Sequence, residues 1–292
     1  MKKSVGRIAT ATLIAGIALA GTQLTASAGE LPAGADRIGV LQDGHLSVKQ
    51  GSVFASWSSQ LGDVTRFEIA GDRVGALAAD GTLHVKEGAL DASWTVQASG
   101  VRDFRLSGNR IGVLRHDGSL AVKEGLSGSF VEQLSGVTDF ELTNNRIGVV
   151  TTAGTALVKQ GDLYSSWTEQ ASGVKDVELT ATRVGVVRTD GSVAVRDGLT
   201  GTFVEQLTGA RQLSLAGDRI GVVRTDGSAV VKDGVFGAWF EQGTGIASID
   251  LAGDRVGLLR ADGTAAVRTG VQGAPVEQAS GVRQIGLAAP GA

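Results

Sequence analysis

One pattern, typified by RVGVVRTDGSVAVRDG at 183–198, recurs seven times, with its arginine at Arg37, Arg73, Arg110, Arg146, Arg183, Arg219 and Arg255. Successive copies start 36 or 37 residues apart. Each is an apolar run, a turn and a second apolar run. The turn is Asp-Gly in six copies and Ala153-Gly154 in the other. Asp-Gly between β-prone runs predicts a two-residue hairpin in which both residues take positive φ. That turn sets Val186 opposite Val195, Val187 opposite Ala194 and Gly185 opposite Arg196. The invariant glycine of Arg-Ile/Val-Gly then reads as room for the long Lys or Arg stem crossing it.

Each unit continues alike. The second run ends in Val, then Lys or Arg, a polar residue and Gly, as in Val195-Arg196-Asp197-Gly198. After a short loop comes a bulky residue: Trp57, Trp94, Phe130, Trp167, Phe203, Trp239 or Pro275. A glutamine follows three positions later, from Gln60 to Gln278. A further run such as 137–142 leads through a Gly/Asn/Asp turn into the next arginine. The unit is therefore four short strands, here termed inner, second, third and outer. A four-strand unit of this length repeated seven times predicts an all-β chain folded as a seven-bladed β-propeller. An open β-solenoid is the alternative, but it needs atypical end units and none is seen. The chain reaches its first second-strand at Arg37 with no inner strand before it. A surplus inner strand lies at 282–287, so the ring closes only if that strand completes the first blade.

The N-terminus has the layout of a secretory signal. Lys2, Lys3 and Arg7 precede an apolar stretch at 8–20, and Ala26-Ser27-Ala28 fits a cleavage site. The expected domains are a signal peptide at 1–28 and a propeller at 29–292, released outside the cell. Cleavage removes three positive charges and no acid, taking the net charge from −3 to −6. A mildly acidic chain without basic runs does not suit nucleic acid or an anionic membrane. With no cysteine, stability rests on packing alone.

The pattern bulky-x-x-Gln-x-x-Gly-Val followed by Arg-Val-Gly-Val-Val-x-x-Asp-Gly-Ser resembles tectonin- and tachylectin-type propeller lectins. It is also similar to PLL-type bacterial lectins and to regulator-of-chromosome-condensation repeats. Trp167, Gly173-Val174, Val184-Gly185-Val186-Val187, Asp190-Gly191 and Val195 carry the likeness. Tectonin units place Trp in the strand after the Asp-Gly turn, where this chain has Val195 and Val231. The resemblance implies a carbohydrate-binding module and no enzyme.

Read from the residues alone, Trp57, Trp94, Trp167 and Trp239 are the large aromatic faces. Gln97, Gln170 and Glu169 stand beside them as hydrogen-bonding neighbours for sugar hydroxyls. Rim packing between blades is the competing reading for the same rings. Trp94, Trp167 and Trp57 follow the longer loop and rank ahead of Trp239. The fifth residues of the inner strands, Glu68, Arg105, Glu141, Glu178, Ser214, Asp250 and Gly286, put four acids against one arginine in a central channel. The seven repeat arginines ring one face as ion pairs or as an anion-binding crown. His45, His84 and His116 do not converge for a metal, and no cofactor motif occurs. Arg188-Thr-Asp-Gly-Ser192 is a faint echo of the sialidase Asp-box, but Tyr164 is the sole tyrosine and lies in a loop. The expected function is a secreted, multivalent, non-enzymatic binding module, glycans first. A protein-interaction scaffold is the runner-up and a glycoside hydrolase a distant third.

Overall fold

In the computed structural model, residues 36–290 are described, and they form seven four-stranded antiparallel sheets. The expected signal peptide and the first residues after it lie outside this range. The chain is a seven-bladed β-propeller. Blade 1 combines the C-terminal strand Val282–Ala288 with residues 37–61. Blades 2 to 7 follow as 64–98, 101–134, 137–171, 174–207, 210–243 and 246–279. The last strand pairs antiparallel with the first, Arg37 opposite Ala288 and Val40 opposite Ile285, which closes the ring.

The hairpin register differs by one residue from the sequence expectation. Val184 faces Arg196, Gly185 faces Val195 and Val186 faces Ala194. The loop holds three residues rather than two: Arg188 N bonds Ser192 O, and Gly191 N bonds Arg188 O. Only Gly191 takes positive φ, at 81°. The Asp190 carboxylate accepts from Ser192 N at 2.8 Å, which holds the turn in place of a second left-handed residue. Blade 1 alone has the two-residue turn, with Asp43 at φ 46° and Gly44 at 80°. It is one residue shorter between arginine and Asp-Gly, so there is no third loop residue to place.

The glycine row also has a different role. A Cβ on Gly185 would come within 2.7 Å of Leu213 and 2.9 Å of Leu215 on the next blade's inner strand. Gly39, Gly75 and Gly112 are likewise covered by Phe67, Phe104 and Phe140. The glycine seats the neighbouring blade and not the Lys or Arg stem. Seven apolar clusters result, each spanning two adjacent blades.

Candidate functional site

The repeat arginines act as clamps between blades. They lie where each inner strand turns into the second strand, on the face that also carries the third-to-outer loops. Arg37 donates to Asp72 O at 2.7 Å, and Arg183 to Asp218 O at 2.7 Å. Arg255 closes the set by donating to Gly51 O and pairing with Asp36 at 3.0 Å. Carboxylates across the hairpin neutralise several of them: Arg73–Glu87, Arg183–Asp197 and Arg219–Asp233 are each 2.8 Å apart. Arg37 Nε, Arg73 Nη1 and Arg255 Nη1 are buried without a protein partner, but none of the seven guanidiniums is fully exposed, so the row forms no open anion-binding crown.

The outer-rim tryptophans each sit one residue before an outer strand and are half-buried. Trp94 joins the cluster between blades 1 and 2, and Trp167 the one between blades 3 and 4. Trp57 and Trp239 do the same at their own seams. A third-strand Lys stands over each ring: Lys49 over Trp57 at 4.6 Å, Lys86 over Trp94 at 4.9 Å, Lys159 over Trp167 at 4.8 Å and Lys232 over Trp239 at 4.7 Å. Phe130 and Phe203 hold the same place under Lys123 and Arg196. Burial lowers the Lys86 ammonium to about 8, with Arg37 adding to the effect.

The glutamine row turns inward. Gln97 and Gln170 donate Nε2 to Thr95 O and Thr168 O on their own strands. Gln170 Oε1 accepts from Arg196 of the next blade. In the other six units, Gln97 among them, the buried Oε1 has no protein donor. Glu169 is exposed on the outer strand. Trp167 packs at the seam with the preceding blade, whereas Gln170 reaches Arg196 of the following one, and Trp239 and Gln242 divide in the same way. The expected Trp167–Gln170 pair is therefore not brought together, and Glu169 is exposed to solvent.

The central channel encloses about 870 Å3 and is lined by the fifth residues of the inner strands and by the third residues Arg66, Gln212, Ser248 and Gln284. Some of these cap the free edge of the next inner strand. Gln284 takes both N and O of Phe67, Gln212 both groups of Ile249, and Asp250 the N–H of Leu287 at 2.6 Å. Arg105 is the main cation, 2.9 Å from Glu141 and 3.2 Å from Asp103. Burial alone would lower its guanidinium, but Glu141, Asp103, Glu68 and Asp139 outweigh burial and push it up. Burial raises the acids. Glu68 goes up to about 8, tempered by Arg105, and Asp250 to about 7. Asp176 rises to about 7 through burial and through Asp139, with which it shares a hydrogen bond. Glu178 is pushed well up by burial, Glu141 and Asp176. The third-residue acids Asp103, Asp139 and Asp176 were outside the sequence reading, which followed only the fifth row. The third residue lies two before the fifth with no register shift between them, so alternation puts both on one face, and Asp103 and Asp139 reach Arg105 from there.

Sequence reasoning placed Tyr164 in a loop but took none of three aromatic loop tips as a binding position. Phe54, Tyr164 and Phe236 are 79%, 80% and 88% exposed. They occupy equivalent places in the third-to-outer loops of blades 1, 4 and 6, on the arginine-clamp face. Among the described residues, no three His, Cys, Asp or Glu side chains are grouped to hold a metal ion.

No family model matches the sequence, and no curated protein matches it. Solved structures share the fold. PorZ, an essential surface component of the type-IX secretion system of Porphyromonas gingivalis, superposes with a TM-score of 0.65 at 13% identity over 87% of this chain. The alignment spans 38% of the PorZ chain. A chain of the complex between Kap60 and yeast RCC1 (Prp20) gives 0.65 at 9% identity, over 98% of this chain and 91% of that one. The computationally designed Ika8 gives 0.59 at 18% identity, over 84% and 86%. At these identities the likeness is one of fold alone.

Proposed function

We propose that the chain is a non-enzymatic binding propeller that works outside the cell and takes a protein partner. The observation that carries this reading is the contrast between its aromatic sets. The tryptophans are tied into the seams under lysines, whereas Phe54, Tyr164 and Phe236 stand in solvent. Exposed aromatics anchor protein interfaces, where a few rings supply most of the affinity. The complex of Kap60 with yeast RCC1 (Prp20) supports the reading only as a case of the same fold with a protein partner. The test places photo-crosslinking residues at Phe54, Tyr164 and Phe236 and, on the opposite face, at Thr189 and Thr225. Mature protein is then irradiated with the proteins of its own culture medium. A saturable adduct from either face is expected, and none from both would end the reading.

Carbohydrate binding is the second reading. Trp94 and Trp167 keep part of their rings in solvent, which favours it: the rings would stack on a sugar face, and exposed Glu169 would take a hydroxyl. A glycan array read with the mature protein tests it, backed by Trp94→Ala and Trp167→Ala. If the array stays blank, and both variants lose about 3–5 kcal/mol of stability, the range for a large aromatic truncated in a core, the rings pack and do not bind.

A further inference from the structure

Six of the seven third-strand cations are covered in the same way. Each is buried, from Lys86 at 3% exposed to Arg196 at 9%. Each has an aromatic ring over it, at 4.5–4.9 Å. Each also donates to a carbonyl of the loop that follows, as Lys49 does to Val53 O, Lys159 to Leu163 O and Lys232 to Val235 O.

The seventh, Arg268 of blade 7, has neither partner. Pro275 stands where the other units have Trp or Phe, and it is itself exposed. The loop carbonyl equivalent to Val235 O is that of Val271, and Gln242 Nε2 of blade 6 takes it at 3.0 Å. Arg268 makes no hydrogen bond, ion pair or ring contact with the described residues, and its Nε is buried without a partner. Between blades 4 and 5 an arginine at the same place is met by a glutamine, since Gln170 Oε1 accepts from Arg196. Between blades 6 and 7 Gln242 Oε1 makes no such bond. Arg268 is accordingly half-buried, the one member of the row that is not closed over. It lies opposite Val256, on the face that packs between blades 6 and 7. Burial lowers its guanidinium, and neighbouring Arg260 lowers it further with no carboxylate to offset either.

What a covered cation has names the ligand. Arg196 carries Phe203 over its face at 4.5 Å, and its edge donates to the carbonyls of Leu199 and Gly201. A ligand for Arg268 must bring a flat ring for the face and an acceptor for the edge. The two are at right angles, so a flexible tether joins them. A carboxylate is the best acceptor, because the guanidinium fork matches its two oxygens. We propose that the seam between blades 6 and 7 binds a small arylalkanoate, its ring on Arg268 beside Pro275 and its carboxylate on the guanidinium edge. This goes beyond the protein-binding and carbohydrate readings and depends on neither.

Isothermal titration of the mature protein with phenylacetate, cyclohexylacetate and phenylethanol tests this. Phenylacetate is expected to bind saturably, and at least about tenfold more tightly than either analogue, in line with a partly desolvated cation–π contact and a charge-assisted pair. Cyclohexylacetate keeps the carboxylate and loses the flat face, whereas phenylethanol keeps the ring and loses the charge. Arg268→Met is expected to keep the melting temperature, since Arg268 has no partner to lose, and to abolish binding. Pro275→Trp restores the ring of the other units. It is expected to melt no lower than wild type and to lose at least about tenfold in phenylacetate affinity, as its own indole takes the contact. Absence of saturable phenylacetate binding at low salt overturns the proposal. Equal affinity for cyclohexylacetate also overturns it, since apolar burial alone would then explain binding. So does binding that survives in Arg268→Met or in folded Pro275→Trp, which would put the ligand elsewhere. If Pro275→Trp fails to fold, Arg268→Met alone decides.

Discussion

Single positions decide how the blades meet. Gly185 exists because Leu213 and Leu215 occupy the space where its side chain would be. Gly185→Val is therefore expected to push the next inner strand outward and to cost ~1–3 kcal/mol, as overpacking does. Chemical denaturation read against wild type checks this, and an unchanged midpoint would mean that the seam tolerates the added bulk. The glutamine row gives a second contrast. Gln170 Oε1 is held by Arg196, whereas Gln133 Oε1 is buried with no protein donor. Gln170→Met removes one of the three acceptors of the Arg196 guanidinium, leaving the carbonyls of Leu199 and Gly201, and is expected to cost about 1 kcal/mol. Gln133→Met removes an orphaned acceptor and is expected to be near neutral. Equal melting temperatures for the two variants would show that Arg196 does not depend on Gln170.

At the scale of the strand, the sequence was readable in outline and misleading in register. The four-strand unit, the seven copies and the donated C-terminal strand all follow from the spacing of arginine, Asp-Gly, glutamine and the Gly-Val pair. Register was lost because Asp-Gly serves both two-residue and three-residue hairpins. The distance from Arg183 to Asp190, one longer than from Arg37 to Asp43, was the available signal. The channel was half legible because only the fifth residues were followed, although alternation puts the third residues on the same face. The exposed tips were overlooked because Phe54, Tyr164 and Phe236 break the repeat, while attention to periodicity selects what recurs. Closure itself is open to test. Ending the chain at Gly281 removes Val282–Ala288, which pairs with the first strand and carries buried Val282, Ile285 and Leu287. At ~25 cal/mol per Å2 of apolar area, losing that strand's burial is expected to cost several kcal/mol. Differential scanning calorimetry of the shortened chain checks it, and a melt like that of the full chain would mean the ring does not depend on this strand.

The propeller at 36–290 is a ring of clamped seams around an acid-lined channel, and the channel ties its stability to pH. Glu68, Asp176 and Asp250 have folded values pushed up to about 8, 7 and 7, first by burial. Unfolded, such groups release their protons near pH 4. Between roughly pH 4 and 8 the folded state therefore binds more protons than the unfolded one, so stability falls as pH rises. The contribution is fully present below the unfolded value and is lost as pH climbs through 7 and 8. The hairpin-turn carboxylates run the other way. Asp80, Asp117, Asp190, Asp226 and Asp262 are held low, mainly by hydrogen bonds from the residue two ahead, and their contribution fades only in acid below about pH 4. Lys86, lowered to about 8 by burial, has an opposing effect that begins only above that pH. The window from pH 5 to 8 thus belongs to the channel. Melting temperatures are expected to drop steadily across it, and Asp176→Asn, which keeps the hydrogen bond to Asp139 without an ionisable proton, is expected to flatten the slope. Exposed Asp190→Asn is expected to leave the slope in that window as it is. A wild-type profile that is flat from pH 5 to 8, or a slope unchanged in Asp176→Asn, would show that the channel acids ionise freely and that solvent in the channel screens them.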